Sequence, residues 1–334
     1  MTHPIPTHHT GPGLVDLQIN GYAGLDFNGD PSRWTEAAWR DVRTKLRRRG
    51  VVAALPTLVT DSPEHLLARA RRYGELVESD DDLSAAFPLL HIEGPFISPI
   101  DGPRGAHPLM HCTTPAEVPD LVDRLNEAAC GRVGLVTLAP EVDGAIDLIG
   151  HLVRDHIAVG LGHTMATADE INRAVEAGAA MSTHLGNGSH PRLPRLDNYM
   201  QTQLADDRLF ASFIADGHHM PFTTLKNFIR AKTPARSILV SDAMLAAEME
   251  PGMYTFGGER IEVRPDGYVG KPGAENLAGS VLTLDRAVIH VATYCGIDFE
   301  TAWSMASVQP ARVVGLSKPE EVTVEVGDGE AVRR

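Results

Sequence analysis

The sequence predicts an α/β protein organised as a single (β/α)8 barrel of the TIM type, and three observations predict it. Apolar runs of strand length alternate with longer segments of helical period, the pattern of βα units around a parallel sheet. Eight such runs suit a closed barrel better than a doubly wound sheet, since a barrel of this kind occupies roughly 250 residues or more. Polar residues recur at the carboxyl ends of the runs, the side on which a barrel assembles its active site.

Taken in order, residues 1–13 form a lead-in and the first strand spans Leu14 to Asn20. Thr35 to Arg48 has helical period and delivers the chain to a second strand, Val51 to Thr57. Pro63 to Val77 precedes the third strand, Pro88 to Glu93, and Pro115 to Ala129 the fourth, Arg132 to Leu138. The fifth strand is Ile157 to His163. After it, Thr167 and Glu170 have the spacing of a capping box, and Ile171, Ala174, Val175 and Gly178 share one helical face. Gly178 stops that helix. The sixth, seventh and eighth strands are Ala180 to His184, Leu209 to Asp216 and Ser237 to Asp242. The barrel therefore occupies residues 14–316. Turn signals at Gly257-Gly258 and Asp266-Gly267 predict a β-hairpin inserted near 255–269, placed to close over the site or to meet a second subunit. Residues 317–334 form a C-terminal tail with one candidate strand, Glu321 to Val326.

Composition narrows the function classes. The chain has 334 residues, 43% hydrophobic and 22% charged, with a formal net charge of −14. That charge repels nucleic acid and anionic membranes, and an anionic small substrate needs a local cationic pocket. No run approaches the roughly 20 apolar residues of a membrane span, and Met1 to Thr10 lacks a basic and then apolar leader, so a cytoplasmic protein is expected. Cys112, Cys130 and Cys295 form no CxxC pair, which argues against a disulfide framework or thiolate zinc site and predicts packed thiols. A Gly-rich phosphate fingerprint is absent.

The chemistry lies at the strand ends. Gln18 and Asn20 end the first strand, Glu93 the third, His163 the fifth and His184 the sixth; Asp216, His218 and His219 follow the seventh, and Asp242 ends the eighth. One histidine in such a place is usually structural. Several groups converging on one rim are not, because crowding imidazoles and carboxylates without a cation has no structural advantage. Glu93, His163 and His184 supply one carboxylate and two imidazoles, a set that suits a catalytic zinc site with an open position for water and also other first-row metals. A divalent ion there acidifies water and polarises a carbonyl. Asp242 is placed as general base and then general acid for amide hydrolysis; the plainer alternative makes it a helix cap or ion-pair partner.

At these residues the sequence resembles the N-acetylglucosamine-6-phosphate deacetylases of the amidohydrolase superfamily. The resemblance runs from Pro12-Gly13-Leu14-Val15-Asp16 through His91-Ile92-Glu93-Gly94-Pro95-Phe96, Gly105-Ala106-His107, Gly162-His163-Thr164, Thr183-His184-Leu185, Asp216-Gly217-His218-His219, Ser241-Asp242-Ala243 and Leu277-Ala278-Gly279-Ser280 to Gln309-Pro310-Ala311-Arg312. It implies a metal-dependent hydrolase of amino sugar metabolism that removes the acetyl group of an amino sugar phosphate. Glu93, His163 and His184 are then the metal ligands and Asp242 the acid/base, while His107 and His219 meet the substrate, His107 within the catalytic set. A homodimer is also implied. Many amidohydrolases hold a second metal with His-x-His on the first strand; here Gln18-Ile19-Asn20 offers neutral amides, so one divalent ion per chain is expected, zinc first, with iron, manganese, cobalt and nickel as alternatives. His91, two residues before Glu93, is read as orienting Glu93 or as a further ligand.

Family members hold the sugar phosphate with the backbone after a His-Leu-x-Asn turn and with an arginine beyond it. That pattern points to Asn187 and Gly188 and to Arg195, with Arg192 as the neighbouring alternative; the plainer alternative makes both arginines solvated loop residues. The run Gly186-Asn187-Gly188-Ser189-His190 departs from the usual aromatic-Asn-Ala-Met, so a different N-acyl amine or a cyclic amide is a second expectation. A non-catalytic sugar-binding barrel is a third. The short chain ends imply that the family's flanking β-sandwich is missing or vestigial.

Overall fold

The computed structural model describes residues 4–256, 259–273 and 277–333; the Gly257-Gly258 turn signal lies outside the described residues. Eight parallel strands stand side by side in chain order: β1 (Leu14–Ile19), β2 (Val51–Val59), β3 (Leu90–Glu93), β4 (Val133–Leu138), β5 (Ala158–Leu161), β6 (Met181–Ser182), β7 (Phe210–Ile214) and β8 (Ser237–Val240). Each coincides with a run read from the sequence. The sheet closes at its catalytic end, where Ile19 bridges Ala243, Asp242 N donates to Gln18 O (2.9 Å) and Asn20 N to Ala243 O (2.7 Å).

The strands are buried on both faces, and helices cover the outside, as expected for a parallel sheet. Glu36–Arg48 begins where the Thr35 side chain accepts from Ala38 N, and it turns Trp39, Val42 and Leu46 inward. Ala168–Ala177 carries the capping box read from the sequence and stops at Gly178 with φ 113°. The segment from Pro115 is helical only from Leu121 (Leu121–Ala128). Its first residues form a turn instead, in which Glu117 accepts from Thr113 Oγ1 and Thr114 N.

Inside the barrel, below the rim, a polar layer replaces aliphatic packing. His91 Nε2 meets Thr137 Oγ1 at 2.8 Å, and Thr137 Oγ1 meets Thr183 Oγ1 at 2.7 Å. Gly160 makes room for this layer, because a Cβ there would lie 2.4 Å from Thr183 Oγ1.

The lead-in and tail are not loose ends. His8–Pro12 pairs antiparallel with Glu321–Gly327, which pairs with Glu330–Arg333, so the two ends of the chain build a three-stranded sheet where one tail strand was expected. Val322, Val324 and Val326 alternate inward. Arg49 ties this sheet to the barrel through Glu330 (2.6 Å) and Glu248 (2.5 Å). The insertion is likewise larger than a hairpin: Gly252–Phe256, Glu259–Val263 and Val269–Gly270 form an antiparallel three-stranded sheet over Met244, Ala246, Ile261, Val263 and Val269. The thiols are free, but only Cys295 is buried; Cys130 is exposed and Cys112 lies between, so the expectation of packed thiols fails for Cys130.

Candidate active site

Register brings the strand-end residues to one rim. Glu93 closes β3, while His163, His184 and Asp242 stand just past the ends of β5, β6 and β8 at positive φ of 52°, 30° and 48°. Non-glycine residues hold such angles at a cost of roughly 1–3 kcal/mol each, and they cluster at functional sites. Here the turns aim side chains at one point. Glu93 Oε1 lies 2.8 Å from His184 Nε2 and 3.1 Å from His163 Nε2, and the two Nε2 atoms are 3.2 Å apart.

The donor set fits a divalent cation. His163 Nδ1 donates to Pro103 O at 2.9 Å, which leaves its Nε2 a lone pair facing the carboxylate. Two imidazole nitrogens and a carboxylate oxygen within 3.2 Å of each other repel unless a proton or cation lies among them. Four-coordinate zinc with bonds of about 2.0–2.2 Å spaces its ligand atoms a little over 3 Å apart. Burial works against the Glu93 charge, yet the His163 and His184 rings hold its carboxyl well below the usual range. His184 is raised in turn by Glu93, against the opposing effect of burial. Four residues of this region carry a buried atom without a hydrogen-bond partner among the described residues: Gln18 Oε1, Asn20 Oδ1, His107 Nδ1 and His184 Nδ1.

The two first-strand amides act as donors. Gln18 Nε2 reaches Glu93 Oε1 at 3.0 Å, and Asn20 Nδ2 reaches Asp242 Oδ1 at 2.6 Å. Asp242 is pushed up to about 6, first by burial and then by the Glu93 charge. His107 comes from the loop after β3; its ring lies edge-on to His163 with centroids 4.3 Å apart, and it can offer a ligand atom within 4.8 Å of those of Glu93 and His163. Burial, then His163, pushes it down to about 3, so it is neutral. His219 is oriented through Nδ1 by Asp216 Oδ2 at 2.6 Å. Its neighbour His218 meets Asp266 O of the inserted sheet at 3.0 Å.

Other predicted residues are placed differently. Asn187 turns its side-chain amide back onto His184 O (3.1 Å), and Gly188 lies against His163, where a Cβ would come 2.5 Å from Nδ1. Arg192 and Arg195 are exposed on the following loop, without an ion pair to any described residue. His91 neither bonds Glu93 nor faces the cluster: Nδ1 meets Leu17 O (3.1 Å) and Thr57 Oγ1, and Nε2 meets Thr137, which overturns both readings of it. The Pro103 carbonyl was not foreseen, since a backbone acceptor has no residue-type signature. The Asp216–His219 pair was detectable from its i,i+3 spacing.

Among the described residues, no helix is long and apolar enough to cross a membrane. No family model matches the chain. It is 35% identical over 316 residues to N-acetylglucosamine-6-phosphate deacetylase of Danio rerio, covering 92% of this chain and 75% of the relative. With N-acetylgalactosamine-6-phosphate deacetylase of Escherichia coli O157:H7 it shares 33% identity over 309 residues, covering 91% and 78%. A solved structure of a mutant N-acetyl-D-glucosamine-6-phosphate deacetylase from Mycobacterium smegmatis, in complex with N-acetyl-D-glucosamine-6-phosphate, superposes with a TM-score of 0.86 at 29% identity, covering 98% of this chain and 86% of that one.

Proposed function

Because the chain belongs to the N-acetylglucosamine-6-phosphate deacetylase family, we propose that it hydrolyses the N-acetyl group of N-acetylglucosamine 6-phosphate, releasing acetate and the free amine. The observation that carries this reading is the convergence of Glu93, His163 and His184 within 3.2 Å, with the Asp242 carboxylate held beside them. Those three residues would hold one divalent ion, zinc in our reading, which when bound supplies Lewis-acid polarisation of the acetyl carbonyl and acidification of water.

The remaining work falls to the protein's own groups. Asp242, near 6, is mostly ionised at neutral pH and takes the proton from the attacking water. The same carboxyl then delivers a proton to the leaving nitrogen. Asn20 keeps Oδ1 in place, so the other oxygen is the proton carrier. Neutral His107 and the Asp216-oriented His219 bind the sugar, each through a ring nitrogen. The backbone at Asn187 and Gly188, with Arg195 or its neighbour Arg192, receives the phosphate; a guanidinium suits it through bidentate hydrogen bonding. The active form is a homodimer: Met110 and Leu196, 83% and 80% exposed on loops of the catalytic rim, are apolar surface for a second copy to cover. It works in the cytoplasm, where its three free cysteines stay reduced.

The similarity to a galactosamine-type deacetylase and the glycine-rich Gly186–Ser189 turn support a second reading, in which the epimer or another N-acyl amine is preferred. One assay separates the two. Acetate release by the zinc-loaded protein is measured on N-acetylglucosamine 6-phosphate, N-acetylgalactosamine 6-phosphate and the two plain sugars. Fastest release from the first supports the proposal, and no release from it sinks the proposal.

A further inference from the structure

The loop that follows β3 meets His163 on its backbone and on its ring. Ser98 N donates to His163 O at 2.9 Å, and Pro103 O accepts from His163 Nδ1 at 2.9 Å, so backbone and ring are held by one loop. Gly105, at φ 59°, lies so close that a Cβ there would come 3.3 Å from His163 Cε1. His107, on the same turn, sets its ring edge-on to His163. The turn is wound by Arg104 N to Ile100 O (2.9 Å), Gly105 N to Gly102 O (3.0 Å) and His107 N to Arg104 O (3.3 Å).

One side chain braces this turn from end to end. Arg104 Nη1 donates to His107 O at 2.7 Å, and Nη2 reaches Asp101 Oδ1 at 3.3 Å, so the guanidinium spans the stretch from Asp101 to His107, which contains Pro103. Its side chain is only 20% exposed, whereas Asp101 is 95% exposed. A planar, rigid fork is the group suited to holding two acceptors at fixed separation. Orientation of a ligating histidine by the acceptor on its other nitrogen governs both tautomer and metal affinity.

We propose that Arg104 is a positioning residue for the metal centre: by clamping the turn it holds the Pro103 carbonyl against His163 Nδ1, and so keeps Nε2 free and aimed at the cation. The proposal rests on Glu93, His163 and His184 being the ligands. It makes the loop after β3 part of the metal site although none of the three ligands proposed above, Glu93, His163 and His184, comes from that loop. It also assigns a function to an arginine that would otherwise pass for a surface ion pair.

The test is zinc affinity, read on full-length metal-stripped protein by competition with a chromophoric chelator, alongside the visible spectrum of the cobalt(II) form and far-UV circular dichroism. Wild type, Arg104→Ala, Arg104→Lys, Asp101→Ala and His184→Ala are compared. Arg104→Ala should stay folded, bind zinc about tenfold more weakly and change the cobalt spectrum, since loss of such outer partners costs roughly 10- to 100-fold in affinity. Arg104→Lys, which reaches one acceptor but cannot span both, should lie between it and wild type, and Asp101→Ala should lose less than Arg104→Ala. Folded Arg104→Ala with wild-type zinc affinity and an unchanged cobalt spectrum overturns the proposal, provided His184→Ala has lost the metal. Should Arg104→Ala fail to fold, Arg104→Lys decides on the same two readouts. Zinc binding by His184→Ala at wild-type strength overturns the ligand assignment itself, a separate and recognisable failure.

Discussion

The two poles of the candidate site are built in contrasting ways. At the pole assigned to the metal, Glu93, His163, His184 and Asp242 stand at or just past strand ends, are joined to one another or to Gln18, Asn20 and Pro103, and sit largely out of solvent. At the pole assigned to the phosphate, Arg192 and Arg195 project from an exposed loop with no ion pair to a described residue. The contrast teaches that a barrel's register converges side chains on one point of its rim, while charge on an exposed loop is left without an ion-pair partner among the described residues. Breaking the first pole should therefore abolish function outright, and breaking the second should only weaken binding.

The largest effect is expected from the ligands: His184→Ala or Glu93→Gln should remove metal and turnover together, read by elemental analysis and acetate release. Retention of a full complement of metal by either variant would dissolve the proposed set. Next, Asp242→Asn should keep the metal and lose roughly 10²- to 10⁴-fold in kcat, the usual share of a general acid/base. The same carboxyl sets a pH limit. Its pKa is raised to about 6 by burial and by the Glu93 charge, and the base must be ionised, so kcat/KM should be full above that value and fall as pH drops through it. A profile flat down to pH 5 would remove Asp242 as the base. The smallest effect belongs to the loop: Arg195→Ala should cost about tenfold or more in kcat/KM, mostly in KM, for the phosphorylated sugar and little for the plain one, as loss of a solvent-exposed charge-assisted contact would. Equal losses on both substrates would show that the phosphate is held elsewhere.

Much of this was legible in the chain. Every barrel strand but the fourth, which ends at Leu138, appeared as an apolar run ending in a polar residue, because a strand buried on both faces needs continuous apolar sequence and only its end reaches the rim. The Thr167 and Glu170 capping box was legible for a similar reason, since all its contacts lie within four residues. His91 was misread because alternation along a strand places it on the face of Glu93 but does not say how far below the rim it sits. There it is occupied by Leu17 O, Thr57 and Thr137, and burial pushes its ring down to about 4. The pairing of His8–Pro12 with Glu321–Gly327 was invisible, because partners some 300 residues apart leave no local pattern.

By itself, then, the sequence determined the succession of βα units and the residue types at the rim, since both follow from short-range periodicity and from which residues end each apolar run. Only the tertiary structure decided that Ile19 meets Ala243 to close the barrel, that Gln18 and Asn20 serve Glu93 and Asp242, and that the Pro103 carbonyl faces His163. The physical reason is common to all of these. Each joins groups distant along the chain, one of them a bare carbonyl, and their meeting depends on how the closed sheet brings its loops together.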